Sequence, residues 1–169
     1  PDFVQSSAAW VSSVLHRLQP KGEDAQKIWD KTITERKLGL MEGPLSAAHF
    51  DAIHGHGRWR PVIRFGIDQK DGKYRVIDNG RSSSTNDTVS ARERIHCCCL
   101  SGAVAAVRKF ASLAGSVTAA GILMSTNDME RAFRQVPVRK DQLRYSVVAV
   151  WSPDDKEWVF FQLLAMPFG

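Results

Sequence analysis

The stretch Ser125-Thr-Asn-Asp-Met-Glu-Arg-Ala-Phe-Arg-Gln-Val-Pro-Val138 decides how the rest of this sequence is interpreted. An apolar run, Ala119-Ala-Gly-Ile-Leu-Met124, precedes it and gives way to polar residues and a carboxylate, Asp128. Pro137 ends any helix that begins at Met129, because proline cannot continue the helical hydrogen bonds. The pattern therefore predicts a buried strand, an acidic residue exposed at the end of that strand, one helical turn and a second extended segment.

Two roles fit Asp128 from this pattern. A carboxylate at a strand end suits a hard cation such as Mg²⁺, which takes oxygen ligands and keeps several waters. The alternative role is to cap the short helix that follows, which is a common position for Asp. Both roles remain open on this stretch alone.

A second block, Met166-Pro-Phe-Gly169, lies at the other end of the following segment. In this order, Asp128-x-x-x-Ala-Phe-x-Gln-Val-Pro137 and Met-Pro-Phe-Gly resemble motif A and the beginning of motif B in the palm of reverse transcriptases. The resemblance implies an RNA-directed DNA polymerase, encoded by a mobile element such as a retrotransposon. Its partners would be an RNA or DNA template with a primer, and deoxynucleoside triphosphates.

Upstream, the pattern changes at Pro61 from helical to alternating, and Asp71-Gly72 predicts the turn of a β-hairpin. Alternation places Lys73 and Arg75 on one face, where two cations could clamp a triphosphate. The alternative is a solvated strand edge protected by charge. The run Lys-x-Arg-x-Ile-Asp78 also resembles the fingers of reverse transcriptases, which implies phosphate contacts for Arg75 and Lys73.

The resemblance implies roles for the residues around Asp128. Asp128 would be a catalytic metal ligand, with the Met129 carbonyl as a second oxygen. The complete enzyme would use two Mg²⁺ ions, with Mn²⁺ as a substitute. Phe133 would lie under the sugar and exclude a 2′-hydroxyl; the alternative is a core aromatic. Nucleotide and template contacts are expected from Gln135, Phe168 and Gly169.

The motif C aspartate pair of the family is not found in this sequence. Asp154-Asp155 follows Pro153, and this arrangement predicts a turn. We therefore expect a fragment of the fingers and the first half of the palm, inactive on its own. The expected fold is α+β, with N-terminal helices, a fingers hairpin and a partial antiparallel palm sheet, divided into a helical segment 1–57 and a partial polymerase domain 58–169.

Local patterns predict the remaining elements. Helices are expected at 7–18, 22–37, 46–53 and 93–113, a loop at 39–44, and a hairpin formed by 145–151 and 157–163. Ser46 is a candidate cap of the third helix, and Arg108 and Lys109 are expected on the exposed side of the fourth. Two short motifs have alternative interpretations. His54-Gly-His56 predicts a loop or a pair of metal ligands. Arg58-Trp59-Arg60 predicts a stacked base between cations, or a half-buried Trp with solvated arginines.

The amino-acid composition limits the class of protein. The chain has 169 residues, of which 43% are hydrophobic and 24% charged, with a net charge of +5 and a pI near 9.3. These values indicate a globular protein whose mild basic excess suits a polyanionic partner. The cysteines, Cys97 to Cys99, are adjacent, which disfavours a metal site or a disulfide framework. We expect an intracellular protein, cytoplasmic or nuclear, without a membrane segment.

Two other functions remain open from the sequence. An RNA-dependent RNA polymerase is disfavoured because Phe133 stands where those enzymes typically carry a second acidic residue. A non-catalytic nucleic-acid-binding remnant would use the basic fingers alone. Mg²⁺-dependent nucleotide binding discriminates between the enzyme and the remnant. Oligomeric state, template preference and accessory domains are not indicated.

Overall fold

The computed structural model describes residues 3–88, 100–116, 121 and 132–167. Its helices are α1 (Phe3–Leu15), α2 (Gly22–Lys37), α3 (Ala47–His54) and α4 (Leu100–Ala114). Its strands are β1 (Met41–Leu45), β2 (Pro61–Asp68), β3 (Tyr74–Asn79), β4 (Val147–Ser152) and β5 (Glu157–Leu163). Short 3₁₀ turns cover Thr85–Thr88, Ala132–Gln135 and Lys140–Tyr145. The mixture of helices and one sheet agrees with the α+β prediction.

The five strands form one sheet in the order β1-β5-β4-β2-β3. Neighbouring strands are antiparallel except for β2 and β4, which run parallel. The sheet is therefore mixed, and the expected antiparallel arrangement holds for every pair of neighbours but this one. Parallel neighbours need a long crossover connection, and here the connection from β2 to β4 contains β3 and α4.

Apolar clusters lie on the two faces of this sheet. One face carries Val62, Val148, Val150, Val159, Phe161 and Leu163, which pack against Ile28 of α2. The opposite face carries Val147, Ala149, Trp158 and Phe160, which pack against Val14 of α1 and Phe50 of α3. Strands β4 and β5 contribute to both clusters because alternate side chains point to opposite faces. They are the central part of the core.

Several local predictions are confirmed. Helix α2 covers the predicted range, and the Asp71-Gly72 turn joins β2 to β3. The Ser46 hydroxyl accepts a hydrogen bond from His49 N over 3.2 Å, which caps α3 as expected. The second hairpin forms between β4 and β5. In its turn the Ser152 hydroxyl donates to the Asp155 carboxylate over 2.7 Å, in agreement with the turn predicted for Asp154-Asp155.

The loop predicted at 39–44 is wrong over most of its length, because Met41–Leu45 is strand β1. Met41 is 2% exposed and stands opposite Leu163 of β5. Gly43 has φ +138°, and a Cβ there would lie 2.8 Å from the Phe161 ring. The glycine that indicated a loop instead permits a close approach between strands. Segment 1–57 thus contains a strand as well as helices.

The chain divides into two compact units, residues 1–89 with 131–169, and residues 90–130. The predicted boundary at residue 57 stays a prediction. In the second unit, α4 exposes Arg108 and Lys109, as its pattern predicted. No helix among the described residues is both long and apolar enough to cross a membrane.

Candidate functional site

Four of the predicted site residues lie outside the described residues: Asp128, Met129, Phe168 and Gly169. The other four are Lys73 and Arg75 in the β2–β3 hairpin, and Phe133 and Gln135 in a 3₁₀ turn. All four belong to the first compact unit. The site is therefore described from the hairpin and from the segment that begins at Ala132.

The segment that follows the 3₁₀ turn pairs with the segment that follows β5. Met166 N donates to the Val136 carbonyl over 2.9 Å, and Val138 N donates to the Leu164 carbonyl over 3.0 Å. Between these bonds, Pro137 and Ala165 form an isolated antiparallel bridge. Pro137 tolerates this position because it supplies none of the donors. The described end of the first block, residues 132–138, thus lies beside the residues that lead into the second block at Met166.

Phe133 and Gln135 are both exposed on the 3₁₀ turn. Phe133 keeps 51% of its surface accessible, so the alternative that it is a core aromatic is wrong. Arg134, between them, is buried with 8% exposure. The turn therefore directs its cation into the protein and its two flanking side chains outward.

Arg134 connects three parts of the chain. Its Nη1 donates to the Met166 carbonyl over 3.1 Å, and its Nη2 donates to Asp78 Oδ2 over 3.1 Å and to Glu35 Oε2 over 3.2 Å. These contacts fix the 3₁₀ turn to β3, to α2 and to the backbone just before Pro167. Sequence reasoning missed this role, because Arg134 follows the exposed Phe133 and has no local partner.

Arg64 of β2 is bound to the same carboxylates. Its side chain is fully buried, and its Nη1 donates to Glu35 Oε2 over 2.9 Å and to the Thr32 hydroxyl over 3.2 Å. Its Nε donates to Asp78 Oδ1 over 2.8 Å. Glu35, Arg64, Asp78 and Arg134 together form what we call the buried charge cluster.

The charges in this cluster balance, with two guanidinium groups against two carboxylates. Burial alone would lower the pKa of Arg64, but the negative charges and hydrogen bonds of Asp78 and Glu35 outweigh it, and the pKa is raised. In the sequence, Arg64 is one more basic residue near the Asp71-Gly72 turn. A lone Arg in a strand gives no local signal for such a cluster.

Lys73 and Arg75 line one cleft of about 320 Å³ at the edge of the sheet. The cleft is also lined by Lys31, Glu35, Gln69, Tyr74 and Val76. The structure thus brings the two predicted cations together and adds Lys31 from α2, which sequence reasoning missed. Lys73 is exposed and lies 3.1 Å from Asp71, and its hydrogen bond to Asp71 lowers the pKa of that carboxyl group.

Tyr74 also lines this cleft. Its hydroxyl donates to Asp24 over 3.3 Å, and the Lys27 ammonium lies 5.1 Å from the centre of its ring. Burial, and then the negative charge of Asp24, raise the pKa of Tyr74 to about 12. The ring crosses Gly66, where a Cβ would lie 1.9 Å from the hydroxyl oxygen. Gly66 therefore allows Tyr74 to reach α2.

The Arg58-Trp59-Arg60 motif is not a surface for stacking bases. Trp59 is fully buried, with its ring centre 4.9 Å from that of Phe50. Its Nε1 donates to Asp51 Oδ1 over 2.7 Å. The stacking interpretation is therefore wrong, because a base cannot reach the ring.

His56 lies 3.1 Å from the other oxygen of Asp51. Burial alone would raise the pKa of Asp51, but its hydrogen bonds with Trp59 and His56 outweigh burial, and the pKa is lowered. Across the described ranges, no group of three or more His, Cys, Asp or Glu side chains is arranged to hold a metal ion. The Mg²⁺ prediction concerns Asp128, outside those ranges, and it stays a prediction.

No protein-family model matches the chain, and a search of curated proteins finds no match.

Proposed function

We propose that this chain is part of an RNA-directed DNA polymerase, which transfers deoxynucleotides to a primer under the direction of a template. The observation that carries the proposal is the pairing of Val136 and Val138 with Met166 and Leu164. This pairing brings the sequence that follows Asp128 beside the sequence that leads to Pro167. This contact between residue 136 of the first block and residue 166 of the second supports the proposal.

The cleft beside the hairpin supports a triphosphate site. It is lined by Lys73 and Arg75, the two residues for which the resemblance implies phosphate contacts. Arg donates in a fork that fits phosphate oxygens, and Lys supplies a compact charge on a flexible stem. In the proposed function, Arg75 orients the triphosphate and Lys73 exchanges Asp71 for a phosphate oxygen.

The exposure of Phe133 supports a role at the nucleotide sugar. A half-exposed ring on a turn anchored from beneath by Arg134 can present a flat surface to a ligand. A 2′-hydroxyl would collide with this ring, so deoxynucleotides would bind better than ribonucleotides. Gln135, also exposed on this turn, would contact the nucleotide or the template.

Asp128 and the Met129 carbonyl would hold Mg²⁺, which would neutralise charge on the triphosphate and activate the primer hydroxyl. The adjacent aspartates Asp154 and Asp155 are turn residues, so they do not supply a second carboxylate pair. We therefore expect nucleotide binding, but no primer extension, from this polypeptide by itself.

The test is equilibrium binding of dGTP and GTP to the chain, with and without Mg²⁺. We expect Mg²⁺-dependent binding that favours dGTP and is weakened in Asp128→Asn. Asp154→Asn removes the same charge from a hairpin turn and is the matched control, which should bind as the unmodified chain does. The proposal fails if the affinity for nucleotide is the same with and without Mg²⁺ and Asp128→Asn binds as the control does. A non-catalytic nucleic-acid-binding role would then be the better explanation. A preference for GTP would favour an RNA polymerase instead.

A further inference from the structure

Helix α2 presents a row of charged side chains to the edge of the sheet. Lys27, Lys31 and Glu35 follow one another at intervals of one helical turn, so they share one side of the helix. Lys27 lies over the ring of Tyr74, and Glu35 binds the two arginines of the buried charge cluster. Lys31 lies between them and lines the cleft with Arg75 and Val76.

The partners of Glu35 determine whether Lys31 can form an ion pair with it. A Lys one turn before a Glu on a helix would ordinarily form an ion pair with it. Here Glu35 Oε2 accepts from Arg64 over 2.9 Å and from Arg134 over 3.2 Å. In the part of the chain that the structure describes, no carboxylate pairs with Lys31. Its charge is therefore available to a ligand in the cleft.

The cleft has the electrostatics of an anion site. Its lining includes three cationic side chains, Lys31, Lys73 and Arg75, and one carboxylate, Glu35, which two guanidinium groups already bind. Lys73 also pairs with Asp71, an exposed residue of the hairpin turn, over 3.1 Å. The cations come from two different elements, one from α2 and two from the β2–β3 hairpin. An extended anion with several charged groups matches this distribution better than a single small ion.

We infer that Lys31 binds the polyphosphate of a nucleoside triphosphate, and that the site is formed between α2 and the hairpin. The choice of a nucleoside triphosphate rests on the proposed function. Lys31 contacts the phosphates from the helix side while Lys73 and Arg75 contact them from the hairpin side. Glu35 Oε2 is bound by the two arginines of the buried charge cluster, so we expect that Lys31 is not neutralised within its own helix.

Calorimetric titration of the chain with inorganic tripolyphosphate, at low ionic strength and without Mg²⁺, tests this inference. The variant is Lys31→Ala, and the matched control is Lys37→Ala, which removes the same charge from the exposed end of α2. We expect Lys31→Ala to weaken binding about fivefold, as for one exposed charge-assisted contact. Lys31→Arg should restore most of the affinity, and Lys37→Ala should change it by less than about twofold. Circular dichroism of each variant checks that α2 is intact.

Two results would overturn the inference. One is an unmodified chain that does not bind tripolyphosphate. The other is a Lys31→Ala variant that binds as tightly as Lys37→Ala while Arg75→Ala is weakened, which would leave a hairpin site without α2. Because this titration contains no Mg²⁺, it does not depend on Asp128. A failure of the polymerase proposal, seen in the Asp128→Asn measurement, is therefore distinguishable from a failure of the role given to Lys31.

Discussion

Arg64 and Asp78 stand directly opposite each other on β2 and β3, and Arg64 Nε donates to Asp78 Oδ1 over 2.8 Å. Both side chains are at most 1% exposed, so neither charge is solvated by water. A buried pair of this kind is tolerated only if its remaining donors and acceptors are also satisfied. Arg134 and Glu35 complete that requirement, and in doing so they connect the hairpin, α2 and the 3₁₀ turn.

Asp78→Asn should strongly destabilise the protein, because it leaves two buried guanidinium groups facing one carboxylate. Removing one partner of a buried ion pair typically costs about 3–5 kcal/mol of the free energy of unfolding. Urea denaturation measures this change. Asp71→Asn removes an exposed hairpin carboxylate and should change the free energy of unfolding far less, because water screens an exposed charge. Equal losses in the two variants would show that burial of the cluster is not important.

Gly66→Ala should destabilise the hairpin, because its Cβ would lie 1.9 Å from the Tyr74 hydroxyl oxygen. Forcing extra volume into such a contact costs about 1–3 kcal/mol. A double-mutant cycle with Tyr74→Ala should recover much of this loss, since the smaller residue removes the clash. Gly22→Ala is the control, because no atom lies within 4 Å of its added Cβ. Additive effects of Gly66→Ala and Tyr74→Ala would contradict the contact.

Tyr74 should make the free energy of unfolding decrease at alkaline pH. Its pKa in the folded state is about 12, against 10.0 for an ordinary tyrosine. The unfolded chain therefore loses this proton at a lower pH than the folded chain does. The contribution of Tyr74 to the free energy of unfolding is fully present below pH 10 and is lost as the pH rises towards 12. Tyr74→Phe should remove this dependence. Ultraviolet titration should show a late tyrosine ionisation that is absent in Tyr74→Phe.

Asp51→Ala should cost about 1–3 kcal/mol, because it removes the acceptor of the Trp59 indole N–H. The lowered pKa of Asp51 gives the opposite pH dependence to that of Tyr74. The contribution of Asp51 to the free energy of unfolding is present above pH 3.8, the ordinary pKa of an Asp. It is lost as the pH falls through the lowered pKa of Asp51 in the folded protein. Thermal unfolding between neutral and acidic pH measures both effects. Asp30→Ala, in which an exposed carboxylate is removed, is the control and should lower the free energy of unfolding much less.

Phe133→Ala should alter ligand selectivity much more than stability. The ring is 51% exposed, so its removal should change the free energy of unfolding by less than about 1 kcal/mol. In the proposed function, the preference for dGTP over GTP should fall by roughly tenfold, because the steric block to a 2′-hydroxyl is removed. Val136→Ala removes another exposed apolar side chain next to the turn and is the control for a general effect of surface change. A large loss of stability in Phe133→Ala would contradict this role.

The sequence by itself determined the elements whose signals are local. The periodicity of α2, the Ser46 cap of α3 and the Asp71-Gly72 turn each depend on a few neighbouring residues, and each was predicted correctly. The sequence also singled out the residues of the proposed site, through the two blocks around Asp128 and Met166. Their function stays a proposal, because Asp128 lies outside the described residues.

Only the tertiary structure decided the features that depend on distant partners. The loop signals of Gly39 to Pro44 were overridden by pairing of Met41 with Leu163, and β2 came to lie parallel to β4. Arg64 and Arg134 are ordinary cations in the sequence, and Lys31 is one of many charges on α2. The burial of these two arginines depends on carboxylates from other parts of the chain that pair with them. The residues next to each arginine in the sequence do not show which carboxylates these will be. For this reason the sequence indicated the chemistry, whereas the fold decided which charges are neutralised and which remain available to a ligand.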